Sequence, residues 1–217
     1  MISSGSTAQF AVWTDFGGVL TPPLGHTFQK FCTTTRIDPD ALMSALGKVS
    51  ARYGTDDFML PIDTPLITEA QWLQEIAEVL HAEHGYTTQL TTLADIWFDG
   101  RETNHAWVAR LEKLRSAGTF VGMLSNMPPA WDGHWRRMVD PSALFDDVLL
   151  SFEVGHRKPS PGMFALAAER AGVPAERCVL VDDLPHNCAG AREAGWSAVL
   201  FTEAESASAE LDSILVG

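Results

Sequence analysis

Val12-Trp13-Thr14-Asp15-Phe16-Gly17-Gly18-Val19-Leu20 opens as a β-branched and aromatic run, passes through a single carboxylate at Asp15, and breaks at a glycine pair that a strand does not carry without cost. The pattern predicts a buried strand ending in an acid. In open parallel α/β sheets functional groups collect beyond the carboxyl ends of the strands, so Asp15 is expected at the mouth of a crevice. The same residues also suit a turn aspartate placed before two glycines. The choice depends on what the chain supplies further on.

Beyond this stretch Thr21-Pro22-Pro23 stops regular structure, and the pattern becomes helical. Asp38 before Pro39 reads as an N-cap with proline at the first helical position, followed by Leu42, Leu46 and Val49 at helical spacing. Thr68 and Gln71 form a capping box ahead of the stripe Trp72, Ile76, Val79 and Leu80. No strand pattern interrupts this region, which predicts a helical module inserted directly after the first strand.

Glu102 to Ala117 reads as another amphipathic helix, ending at Gly118. Apolar runs then recur at TFVGMLSN (Thr119 to Asn126), DVLLS (Asp147 to Ser151), CVLVDD (Cys178 to Asp183) and Ser197 to Phe201, with helices expected at Gly162 to Ala171 and about Asn187 to Ala194. Apolar strands alternating with helices predict a three-layer, Rossmann-like parallel α/β sheet with right-handed crossovers. The Ala/Ser/Glu-rich segment from Glu203 to Glu210 reads as a solvated surface stretch.

With 46% apolar and 20% charged residues the chain has the composition of a globular protein with a core. The formal net charge of −13, spread without an acidic block, argues against nucleic acid and anionic membrane surfaces as partners. The opening MISSGSTAQF lacks the basic and apolar regions of a secretion signal, and no apolar run approaches the ~20 residues of a membrane span, so a cytoplasmic protein is expected. Cys32, Cys178 and Cys188 lack metal-ligand spacing and read as reduced thiols.

Four strand ends thus present Asp15, Ser125-Asn126, a loop with Lys158-Pro159, and Asp182-Asp183. Carboxylates gathered in one crevice repel one another and raise their pKa values unless a cation is bound, which implies a hard divalent metal. Oxygen-only ligands point to Mg²⁺. Lys158, the Ser125 hydroxyl and backbone N–H groups such as that of Gly18 offer donors to an anion opposite the metal. The set suits phosphoryl transfer, with Asp15 as nucleophile forming an aspartyl-phosphate.

DFGGVL at Asp15, LSN at Ser125-Asn126, GHRKPSPGMF around Lys158 and VLVDDLPHN at Asp182-Asp183 with Asn187 resemble, in that order and spacing, the motifs of the haloacid dehalogenase-like (HAD) hydrolase superfamily, whose members are mostly Mg²⁺-dependent phosphatases. The resemblance covers nearly the whole chain. It implies a HAD-like core formed by residues 1–20 and 100–217 and a small inserted helical cap at 21–99, similar to that of the N-terminal phosphatase domain of soluble epoxide hydrolases. It further implies that Asp15 is nucleophile and metal ligand, with the carbonyl of Gly17 and Asp183 as further ligands and Asp182 orienting a metal-bound water. Ser125 and Asn126 would contact phosphoryl oxygens, and Lys158 would neutralise nucleophile and phosphate. The implied substrate is a small phosphomonoester.

One departure matters. Most phosphatases of this family carry a second aspartate two residues after the nucleophile, as leaving-group acid and later as base. Here that position is Gly17, and a missing general acid/base typically costs on the order of 10²–10⁴-fold in rate. His26, His156 and His186 are candidate stand-ins, and His26, in the entry to the cap, is preferred. Two other readings stay open: a HAD-like protein that binds a phosphorylated ligand or partner with little turnover, and a 2-haloacid dehalogenase using the same carboxylate. His81 and His84 read as surface residues. Trp131 and Trp135 read as core that could also line the crevice, as do Phe58, Met59 and Trp72 in the cap. Lys30, Arg36 and Arg52 could steer an anion or simply be solvated.

Overall fold

The computed structural model describes residues 10–216. The opening stretch 1–9, on which part of the localisation expectation rests, lies outside them. The described chain forms two compact units, one of residues 10–22, 102–126 and 139–216, the other of 23–101 and 127–138.

The first unit is built on five strands: β1 (Ala11–Thr14), β2 (Phe120–Ser125), β3 (Asp147–Leu150), β4 (Cys178–Asp182) and β5 (Ser197–Leu200). They lie in the order β3-β2-β1-β4-β5, every neighbouring pair parallel. The first strand is central because its residues are apolar on both faces, as a strand covered on both sides must be. Ala11 and Trp13 pack with Leu124, Leu180, Phe164 and Trp196, under the helices Pro161–Ala171 and Pro185–Glu193. On the opposite face the Trp107 indole of the helix His105–Ser116 donates to Thr14 Oγ1 at 3.0 Å and meets Phe201 edge-on. That helix is joined to Ala204–Val216 by an Arg110–Asp212 ion pair, which completes three layers. The order of strands reverses between β1 and β4, the position where α/β sheets open a crevice.

Ala204–Val216 is a helix that the sequence reading did not give: most of 203–210 faces solvent, as expected, while Ala207 and Leu211 are buried. Its apolar stripe is narrow and largely of small residues, so the periodic signal is faint.

The second unit is helical, with its longer helices at Leu24–Thr35, Pro39–Arg52 and Glu69–His84. Asp38 Oδ1 accepts from the N–H groups of Asp40 and Ala41 at 3.0 and 3.1 Å. Thr68 and Gln71 form the reciprocal capping box. Each such cap stabilises its helix by about 1 kcal/mol. Leu42, Leu46 and Val49 are buried, as are Trp72, Ile76, Val79 and Leu80. Residues 127–138, which the sequence reading places in the α/β core, cluster with these helices. Trp131 explains why: its indole N–H donates to Glu69 Oε2 at 3.0 Å and its ring stacks on Trp97 at 5.3 Å. Trp131 and Trp135 are both buried. The cations Lys30 and Arg52 are paired with Asp99 and Glu75, each at 2.8 Å, and His81 and His84 are exposed. Among the described residues no helix is long and apolar enough to cross a membrane.

Candidate active site at the strand ends

The α/β unit brings Asp15, Lys158, Asp182 and Asp183 together because of strand register. Thr14 lies beside Val181, and Asp15 N–H donates to the Val181 carbonyl at 2.9 Å, so the residues that follow, Asp15 and Asp182, leave neighbouring strands side by side. The carboxylates of Asp15, Asp182 and Asp183 each offer an oxygen within 4.8 Å of the others.

Lys158 enters this cluster from the loop after β3. Its Nζ donates to Asp15 Oδ1 at 2.8 Å and to Asp182 Oδ2 at 2.5 Å. The three groups are buried, with 7% (Asp15), 1% (Lys158) and 0% (Asp182) of their surface exposed. Burial by itself would lower the ammonium's pKa, but Asp15 and Asp182 outweigh it and hold Lys158 above the ordinary lysine value. Asp15 is held above the usual carboxylate range, mainly by burial, with Lys158 opposing and Asp182 adding to the rise.

Asp182 is committed within the protein. Besides Lys158, it accepts from Leu184 N–H at 2.9 Å and from Asn187 Nδ2 at 3.0 and 3.2 Å. It fixes the lysine between two carboxylates. Asp183 is in the opposite position: its Oδ1 is buried without a hydrogen-bond partner. Burial first, then the charges of Asp15 and Asp182, push its carboxyl up to about 7.

Gly18 makes room for that carboxylate. A Cβ built at Gly18 would lie 2.0 Å from Asp183 Oδ2, and the backbone there has φ +76°, where side chains are strained. Its N–H donates to Thr21 Oγ1 at 3.3 Å, and the same hydroxyl donates to the Phe16 carbonyl at 3.3 Å, tying the loop after β1 to itself. Ser125 is buried at the end of β2. The Asn126 amide bonds Lys158 in both directions, accepting from its N–H and donating to its carbonyl, each at 2.8 Å. Asn126 therefore sets the lysine's backbone. His156 and His186 are exposed, and His26 is exposed on the first helix of the helical unit. Thr21 and Asn187 are supporting residues to which the sequence reading gave no role. For Asn187 a signal existed, an amide five residues beyond Asp182 at the start of a helix.

With Asp15, Asp182 and Asp183 ionised and Lys158 charged, the cluster carries −3 + 1 = −2. A divalent cation would balance that charge, the orphaned Asp183 Oδ1 supplies a buried ligand without another partner, and the donors are all oxygen. The residues fit such an ion.

A model of haloacid dehalogenase-like hydrolases matches residues 11–195. The chain belongs to that family. Among relatives, 6-phosphogluconate phosphatase of Escherichia coli K12 is 26% identical over 137 residues, covering 59% of this chain and 61% of that protein. A phosphatase of Mycobacterium tuberculosis is 37% identical over 93 residues, 42% of each chain. Fructose-1-phosphate phosphatase of Escherichia coli K12 is 42% identical over 55 residues, 25% of this chain and 29% of that one. The chain thus spans less than two thirds of the length of these relatives. In fold it is similar to a HAD family enzyme of Bacteroides thetaiotaomicron solved in complex with magnesium and inorganic phosphate (TM-score 0.65, 22% identity, 89% of this chain and 94% of that one). It is also similar to an L-2-haloacid dehalogenase (TM-score 0.61, 22% identity, 88% and 86%). At such identities the likeness establishes the fold.

Proposed function

We propose that this hydrolase is a Mg²⁺-dependent phosphatase acting on a small phosphomonoester through an aspartyl-phosphate on Asp15. The observation that carries the reading is the asymmetry of the acids around Asp15: Asp182 is saturated by Lys158, Leu184 and Asn187, while Asp183 keeps a buried oxygen unpartnered. A metal-independent dehalogenase has no use for that oxygen. Phosphatases among the relatives, and a fold neighbour solved in complex with magnesium and inorganic phosphate, support the same reading.

Asp15, the Gly17 carbonyl and Asp183 would hold the ion, with Asp182 beside them. When bound, Mg²⁺ supplies positive charge to the transferring phosphoryl group. Lys158 holds Asp15 by one oxygen, which orients the carboxylate for attack on phosphorus and offsets the charge brought in by the substrate. Ser125 is the donor assigned to phosphoryl oxygens, since the Gly18 N–H is held by Thr21 Oγ1, and Asn126 serves through Lys158 with its remaining N–H available to the substrate. Phosphorus would pass from the ester oxygen to Asp15, and water would then cleave the acyl phosphate to regenerate the carboxylate. Gly17 supplies no proton for the leaving group, so the substrate either leaves readily or is served by another acid, for which His26 is the candidate. The buried free thiols Cys32, Cys178 and Cys188 suit a reducing compartment, the cytoplasm.

The test is phosphate release from a panel of phosphomonoesters and acyl phosphates, with and without Mg²⁺, by the wild type, Asp15→Asn and His26→Ala. Turnover that needs both Mg²⁺ and Asp15 is expected, with Asp15→Asn lowering it by on the order of 10³-fold or more. Unchanged turnover in His26→Ala removes the stand-in acid. Absence of turnover across the panel, with Mg²⁺ bound, supports the reading that Gly17 favours, a protein that binds phosphorylated ligands without hydrolysing them.

A further inference from the structure

The peptide that follows Asp15 is held from the far face of the sheet. Thr14 Oγ1 donates to the Asp15 carbonyl at 3.0 Å, and the Trp107 indole N–H donates to Thr14 Oγ1 at 3.0 Å. An indole nitrogen only donates and a hydroxyl has a single proton, so Trp107 occupies a lone pair of Thr14 and leaves the proton to the carbonyl. Both side chains are fully buried, which keeps the two bonds away from solvent.

The other side of the same peptide reaches the carboxylate. A trans peptide keeps its C=O and N–H in one plane, pointing opposite ways. Holding the Asp15 carbonyl toward Thr14 therefore turns the Phe16 N–H away from Thr14, and that N–H donates to the Asp15 carboxylate. Successive residues along a strand face opposite sides, which is why Thr14 meets the helix His105–Ser116 while Asp15 meets Lys158. The terminal torsion of an aspartate is broad, so a single donor leaves its plane loose. Lys158 Nζ and Phe16 N–H, arriving from different parts of the chain, fix it together. Trp107 is itself registered on the loop after β1: Asn104 Oδ1 accepts from Trp107 N–H at 3.2 Å, Asn104 Nδ2 donates to the Val19 carbonyl at 3.0 Å, and Asn104 N–H donates to the Leu20 carbonyl at 2.8 Å.

We propose that Trp107 and Thr14 are positioning residues: in series, they set the peptide between Asp15 and Phe16 and through it the orientation in which the Asp15 carboxylate attacks. The inference rests on Asp15 being the nucleophile of the proposed phosphatase. It concerns the geometry of that carboxylate and is independent of how the leaving group is served.

The experiment adds beryllium fluoride, which takes the phosphoryl group's place on a carboxylate, to the full chain with Mg²⁺, and follows the bound fluorine resonances by NMR beside hydrolysis of p-nitrophenyl phosphate. The wild type should give a Mg²⁺-dependent adduct that Asp15→Asn lacks. Thr14→Val keeps the shape and removes the hydroxyl; it should weaken the adduct and lower kcat by on the order of 10-fold with KM little changed, and Thr14→Ser should restore both. Trp107→Phe should cost less, because Thr14 still donates to the carbonyl, and should add nothing in the Thr14→Val background, since residues acting in series are not additive. A general loss of packing would give additive losses without rescue by serine, and that result overturns the inference. So does an unchanged adduct in a folded Thr14→Val, which leaves the phosphatase reading standing. Melting curves show which variants fold; if Trp107→Phe does not, Thr14→Val against Thr14→Ser decides. An adduct in the wild type without turnover removes the phosphatase reading, and the response of that adduct to Thr14→Val still decides the inference. No adduct in the wild type overturns both.

Discussion

The α/β unit and the helical unit treat buried polarity in opposite ways. In the first, three acids and a lysine sit out of solvent, and every one except Asp183 has ionic or hydrogen-bonded partners within the cluster. In the second, a cavity of about 310 Å³ has an almost wholly apolar lining, and the Trp72 indole N–H is buried without an acceptor among the described residues. The difference teaches that a charge cluster demands fixed backbone, since Lys158 must reach two carboxylates at once, while an apolar cavity demands only volume. The site therefore stands on strand ends locked by a parallel ladder, and the cavity on helices held by caps and side-chain packing.

Lys158→Met attacks the first half of this comparison hardest. It leaves Asp15 and Asp182 buried without their cation, and breaking a buried pair in this way costs about 3–5 kcal/mol. Chemical denaturation should show that loss together with loss of turnover; a small change in stability would mean that the acids shed their charge easily. Gly18→Ala is the next largest. The added methyl meets Asp183 Oδ2, so Mg²⁺ affinity measured by calorimetry should fall by on the order of 10–100-fold. Equal affinity would show that Asp183 is not a ligand.

The pH dependence of the metal-free protein is a milder probe. Asp183 has a folded pKa of about 7 against an ordinary 3.8, so between these values the folded chain keeps a proton that the unfolded chain has lost. Stability should then fall as pH rises from about 4 to about 7 and level off above, with Asp15 acting in the same direction. Saturating Mg²⁺ should flatten the decline, because a bound cation takes the proton's place. Melting temperatures that follow one pH curve with and without Mg²⁺ would contradict this. The smallest effect belongs to the helical unit: Trp131→Phe removes the bond to Glu69 and should cost about 1 kcal/mol while leaving Mg²⁺ binding unchanged.

Local chemistry was legible in the sequence. The caps at Asp38 and Thr68 and the apolar runs of all five strands follow from backbone preferences within a few residues. So does the gathering of Asp15, Ser125, Lys158 and Asp182-Asp183 at one edge, because a parallel sheet puts every strand's carboxyl end on the same side. Weak periodicity hid the helix Ala204–Val216, and side-chain contacts such as Trp131 with Glu69 and Trp97 join residues 127–138 to the helical unit.

By itself, then, the sequence determined the five strands, the longer helices apart from Ala204–Val216, and which acids end the strands. Only the tertiary structure decided that Lys158 bonds Asp15 and Asp182, that the Asn126 amide bonds both backbone groups of Lys158, and that Asp183 alone of the three acids keeps an unpartnered buried oxygen. The reason is physical. Periodicity records the neighbours a residue has along the chain, whereas a hydrogen bond between residues 143 positions apart is set within tenths of an ångström by the register of strands that only folding brings together.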